Sequence, residues 1–190
     1  MFAIAITLLV LEIRIPEGTL HRNAELLEAL RELTPRLVAY GMTFAVVGLS
    51  WLVHWRRYAV IRTVDGRLAN LNLCYLAFIA ILPFPTALLG DYGDLPAAVV
   101  VYACTVSATV LLGAVSWLYA VRAGLVEDGV SAWRGRRGAS YSLPVPLVML
   151  GSLPLLAVVP PPFVELSWLL ILPALRLVAW RFDTDPVVTG

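Results

Sequence analysis

Six stretches of this chain are almost unbroken runs of apolar residues, and that pattern limits the fold more than any motif does. They cover approximately residues 1–13, 37–55, 68–89, 95–121, 142–159 and 163–182. A bilayer core is about 30 Å thick and takes roughly 20 apolar residues as a helix. Inside lipid a backbone must satisfy its own hydrogen bonds, and helices do so segment by segment. Hydrophobic residues make up 60% of the chain and charged ones 14%, the balance of a polytopic membrane protein. The expected fold is therefore all-α: an integral membrane six-helix bundle with its first helix truncated, in one transmembrane domain over residues 1–190. No glycine-rich phosphate loop, carboxylate pair or nucleophile–base set is present, so the chain does not read as an enzyme. A net charge of +1 gives no footprint for nucleic acid.

The first run, M-F-A-I-A-I-T-L-L-V-L-E-I, rises only about 18–20 Å at helical pitch and is too short to span. It has neither the basic start nor the cleavage site of a signal peptide. It reads as the back half of a membrane helix whose front half lies upstream of Met1. At helical spacing Ile4, Leu8 and Leu11 share one stripe with Thr7 beside it, while Ala3, Ala5 and Val10 lie opposite, where neighbouring helices are expected to approach closely. Glu12, Arg14 and Pro16 end the run.

Residues 14–35 form a polar connector in which Leu26, Leu27, Leu30 and Leu33 make an apolar stripe. This predicts a short amphipathic helix on the membrane surface, or an ordinary solvated one. Thr34 is the expected cap of the next helix and Pro35 its first residue. That helix ends in W-L-V-H-W-R-R-Y, residues 51–58, where aromatics and arginines anchor at the interface. In the third span Asn70 and Asn72 are costly in lipid and are expected to face other helices. Pro83 and Pro85 predict a kink near its far end. Cys74 and Cys104 read as packing residues. His21 and His54 have no second ligand at metal-binding spacing. All fixed positive charges are Arg, and their excess lies after the second and fourth spans and at the end of the sixth. Those sides, and with them both termini, are expected in the cytoplasm of a cell-membrane protein.

Three stretches together carry a family resemblance. F-A-I-A-I-T-L-L-V-L-E-I resembles the back half of the first helix of the transmembrane-protein-175 family of potassium channels, in its bacterial, single six-span form. W-L-V-H, with Trp51 and His54, is similar to that family's Trp-x-x-His signature, and I-L-P-F-P-T, with Pro83 and Pro85, matches a second motif at the right distance. The Arg and Phe-Ser-Asp elements that precede the first run in the family are absent from this sequence. The resemblance implies a homotetramer whose first helices line a potassium-selective pore. Ile4, Leu8 and Leu11 would form its apolar constriction, and Thr7 would stand where some bacterial members place a polar ring. His54 would pair with the polar motif before the first helix. Potassium would be the permeant ion, with no cofactor and no metal site.

Periodicity alone would have Ile4, Leu8 and Leu11 pack against other helices or lipid, and it is the resemblance that turns the stripe toward a pore. One short helix cannot enclose a path, but rings of Ile4, Leu8 and Leu11 from several subunits make a dry constriction that gates by dewetting. Glu12 at the outer mouth would concentrate cations, or pair with Arg14. The alternatives are a non-conducting membrane scaffold and a small-solute transporter, the latter needing an ionisable group deep in a span. The expected partners are copies of the chain, the lipid bilayer and potassium ions.

Overall fold

The computed structural model describes residues 2–11, 13, 22–127 and 138–183. It consists of α1 (Phe2–Leu11), α2 (Asn23–Glu32), α3 (Thr34–Tyr58), α4 (Gly66–Ile81), α5 (Pro83–Tyr92), α6 (Pro96–Arg122), α7 (Pro144–Ser152), α8 (Pro161–Ser167) and α9 (Ile171–Asp183). Among the described residues five helical stretches are long and apolar enough to cross a membrane: Thr34–Tyr58, Gly66–Tyr92, Pro96–Arg122, Gly138–Ala157 and Pro161–Val178. The helix α1 is a sixth, shorter apolar segment. An all-α membrane bundle is thus what the sequence dictates.

Prolines place the internal breaks. Pro83 and Pro85 lack the amide hydrogens that would continue the ladder, and the helix resets at Leu82, separating α4 from α5. Pro154 opens a 3-10 turn after α7. A different outcome holds at Thr34, which is not a cap. Leu33 has helical angles (φ −75, ψ −12) and precedes Thr34 as the N-cap residue with no side-chain bond. The bonds from Leu33 N–H to Ala29 C=O (3.2 Å) and from Leu37 N–H to Leu33 C=O (2.9 Å) carry α2 into α3. With no extended residue at the junction there is no orphan amide for a hydroxyl to take.

The long helix α6 runs through the middle, packing on α4, α5 and α7. Its small residues Ala98, Ala103, Ser107 and Ala114 are buried, so neighbours approach closely. Deep among these helices three hydroxyls meet. Thr43 Oγ1 lies 2.8 Å from Thr86 Oγ1 and 2.9 Å from Tyr102 Oη. The same two threonines reach the carbonyls of Ala39 (3.0 Å) and Leu82 (2.7 Å). Four contacts are thus served by three hydroxyl hydrogens. The node joins α3, α5 and α6 where hydrocarbon offers no other polar partner. Tyr102 also stacks on Trp168 at 5.5 Å, and Trp168 Nε1 donates to Ser152 Oγ at 3.1 Å, extending the tie to α7.

Each end of the bundle is pinned differently. At one end the α3–α4 and α6–α7 connections clasp: Arg62 N–H donates to Leu125 C=O (2.9 Å) and Glu127 N–H to Val60 C=O (2.9 Å). Here Asp65 caps α4, accepting from Leu68 N–H at 2.7 Å and from the Tyr119 hydroxyl. The bond from Tyr119, then that from Leu68, hold the Asp65 carboxyl below the usual carboxylate range. At the other end Arg36 pairs with Asp91 at 2.5 Å.

Three apolar-run readings are corrected. Cys74 and Cys104 face outward, because an apolar membrane helix does not encode which side meets lipid. Asn70 is exposed; it sits in the first turn of α4, where headgroups and water supply partners. On α1, Ala3 and Val10 are exposed rather than packed.

Two outcomes follow from this packing. Thr43→Val strips the hub and leaves the Tyr102 hydroxyl buried without its partner, costing about 1–3 kcal/mol. Adding Tyr102→Phe recovers part of that loss in a thermal-unfolding double-mutant cycle, and strict additivity would contradict a shared node. For Asp65 the folded carboxyl titrates below its unfolded value, so its stabilisation is present above the unfolded pKa of about 3.9. It disappears as pH falls through the folded value. The stability gap between wild type and Asp65→Asn, read as melting temperature, is expected to be flat from neutral to mildly acidic pH and to close only in stronger acid.

Candidate pore helix and its seat

The helix α1 is held from one side only. Phe2, Ala5, Ile6 and Leu9 recur at helical spacing and pack into the core, with Ala5 1% and Leu9 0% exposed. The other face carries Ile4, Leu8 and Leu11 at 57%, 42% and 58% exposure. Thr7 is on this uncovered side, and its hydroxyl donates back to Ile4 C=O at 2.9 Å, a bond its helix already provides for. The sequence groups Ile4, Leu8 and Leu11 on one stripe, and Ala3 and Val10 are uncovered along with them. It missed Leu9 as the deepest anchor, since an apolar leucine on an apolar helix carries no mark of which way it points. Glu12 lies outside the described residues.

The seat of α1 is aromatic. Phe2 meets His54 at 5.4 Å and Tyr75 at 5.9 Å between ring centres. His54 in turn stacks on Tyr75 at 5.4 Å and lies 4.3 Å from Tyr58. His54 is half-buried on α3, whereas Trp51, three residues earlier, projects outward at 48% exposure. The Trp-x-x-His pair therefore splits, one ring toward α1 and one away from the bundle. Pro83 and Pro85 are both buried at the start of α5, which also touches α1.

Beneath this seat lies a cavity of about 20 Å³ bounded by His54, Arg57, Tyr58, Asn72, Tyr75 and Trp117. A space of that size admits one water. Two buried polar atoms stand at it without a partner among the described residues, Tyr58 Oη and Asn72 Oδ1. Arg57 closes the cavity. Its guanidinium donates to Gly113 C=O (2.8 Å), Gly138 C=O (2.7 Å) and Ser142 Oγ (2.9 Å), and lies 5.9 Å from the Trp117 ring. Read in sequence, Arg57 is one of an interfacial arginine pair. Its inward turn is signalled only by its place one helical turn after His54. Glu165 also escaped sequence reasoning: it is half-buried in α8, with Oε1 3.3 Å from the point a Cβ on Gly93 would occupy.

The pieces brought together are α1, His54, Asn72 and the proline-broken α4–α5, while Asn70 and Trp51 stand apart from the seat. A family profile described as the endosomal/lysosomal potassium channel TMEM175 matches residues 1–83. A potassium channel of Streptomyces collinus is 34% identical over 132 residues, covering 67% of this chain and 63% of that protein. A potassium channel of Chamaesiphon minutus is 37% identical over 92 residues, covering 48% and 45%. The matches thus span less than two thirds of either curated relative. The crystal structure of a lysosomal potassium-selective channel TMEM175 homolog from Chamaesiphon minutus superposes with a TM-score of 0.69 at 30% identity. That superposition covers 95% of this chain and 91% of the other. The chain belongs to the TMEM175 family.

Proposed function

We propose that this chain is the subunit of a potassium-permeable membrane channel, with α1 of each copy lining a pore on the symmetry axis. The observation that carries the reading is the two-sidedness of α1. One face is packed into the core, and the other leaves Ile4, Leu8 and Leu11 exposed. Around a closed axis these side chains form stacked apolar rings that pass an ion only when wetted. Thr7 supplies a hydroxyl within the stripe, and Glu12, by its place in the sequence, stands at the outer mouth. Support for potassium comes from the potassium channels that this chain resembles, and the reading extends to a homotetramer in the cell membrane. Both termini face the cytoplasm, on the side where Arg56, Arg57, Arg62, Arg67 and Arg122 gather. In the same reading residues 1–190 make one transmembrane domain.

The aromatic seat gives the pore helix a fixed footing, with His54 and Tyr75 under Phe2. His54 and Asn72 border the polar cavity, and in this reading they form part of the network that holds the pore helix. Leu8→Asn or Ile4→Asn adds an amide to the constriction and stabilises water there. Potassium efflux from proteoliposomes is expected to rise several-fold, or discrimination against sodium to fall. Unchanged flux through assembled variant protein removes the stripe from the pore. No flux through wild-type assemblies favours a non-conducting scaffold.

A further inference from the structure

The helix α3 carries an uncovered seam that its own chain does not account for. Leu37, Gly41, Phe44, Gly48, Trp51 and Trp55 follow one another at alternating four- and three-residue steps, the spacing of a helix-packing stripe. Leu37, Phe44, Trp51 and Trp55 are 45–60% exposed. A Cβ at Gly41 or Gly48 would meet nothing within 4 Å, so nothing in the protomer requires either glycine. Each nonetheless costs the helix about 1 kcal/mol relative to alanine.

Lipid alone does not explain this face. The same steps continue backward through Thr34 to Leu30 and Leu27 of α2, which are 45% and 59% exposed. The Arg36–Asp91 pair marks one edge of the bundle and Trp55 with Arg56 the other. Leu30 and Leu27 lie about 9 and 13 Å beyond Arg36 along the helix, past the hydrocarbon that would cover them.

We infer that this seam is the contact between neighbouring protomers, with the hollows at Gly41 and Gly48 receiving Phe84 and Ile81 of the next copy. The inference rests on the ring assembly of the proposed function. The helix α1 packs on both α3 and α4, so in a ring with α1 innermost the α3 flank of one copy meets the α4–α5 flank of the next, head to tail. That second flank is uncovered: Ile81 is 53% and Phe84 62% exposed. Phe84 lies on the side of α5 away from Thr86, which faces α3. Depths agree as well. Measured from the Arg36–Asp91 level, Gly41 and Gly48 lie about 8 and 18 Å inward, and Phe84 and Ile81 about 10 and 15 Å.

Paired cysteines test the contact in the full chain. With Cys74→Ser and Cys104→Ser as background, Gly48→Cys combined with Ile81→Cys is oxidised in liposomes and run on a denaturing gel. The expected result is a ladder of covalent multimers, with each single variant remaining monomeric. Absence of a ladder overturns the inference, as does dimer formation by Gly48→Cys alone, which would mean that like seams face each other. The pair Gly41→Leu and Gly48→Leu fills the hollows without touching the protomer's own packing. It is expected to lower the oligomeric fraction several-fold at unchanged helical content, and undiminished assembly counts equally against the contact. Potassium flux in the same vesicles separates the two readings. Flux without a ladder overturns the seam and leaves the channel, and a ladder without flux supports the seam and removes the channel.

Discussion

A short helix packed on one face only must take its whole hold from that face, and that constraint organises this bundle. The helix α1 has ten residues, too few to span a bilayer as described, and its hold comes from Ala5 and Leu9 fully buried and from Phe2 on the rings of His54 and Tyr75. In lipid there is no hydrophobic drive to press two apolar helices together, so close fit and polar ties must do it. Phe2, Ala5, Ile6 and Leu9 supply the fit. Polar ties lie one layer behind, at the hydroxyl node and around Arg57, and they fix the helices on which α1 rests.

The two polar ties do different work. The node of Thr43, Thr86 and Tyr102 is neutral and central, joining α3, α5 and α6 at a depth where an unpaired hydroxyl is expensive. Arg57 is charged and placed toward one end, reaching two carbonyls and a serine hydroxyl across three parts of the chain. A lysine there would keep the charge and lose the fork that spans those acceptors. Together with the clasp between the α3–α4 and α6–α7 connections, Arg57 makes the arginine-rich end the more tightly bound one.

Much of this was legible in the sequence, and the failures share one cause. Apolar runs located the membrane helices among the described residues and prolines located the α4–α5 break, whereas stripe spacing on α1 put Ala3 and Val10 on the wrong side. Hydropathy says that a residue belongs in the bilayer, but not whether it faces protein or lipid. For that reason Cys74, Cys104 and Val10 were expected inside and stand outside, while Leu9 went unnoticed. Polar residues in apolar helices carried the better signal, unevenly used: Asn72 drew attention, whereas Thr43 and Thr86 at the centre of the fold did not. Residues 128–137, which contribute Arg134, Arg136 and Arg137 to the charge asymmetry, lie outside the described chain.

The shortage of hydrogens at the buried node has a mechanical consequence. When any contact but that from Tyr102 stretches, it becomes the one left without a proton, and a threonine hydroxyl turning on its own bond serves the others. The distance between Thr43 and Thr86 can therefore change while the carbonyls of Ala39 and Leu82 keep their donors. A joint of that kind keeps its connections and tolerates small play between α3 and α5, two of the helices on which α1 rests.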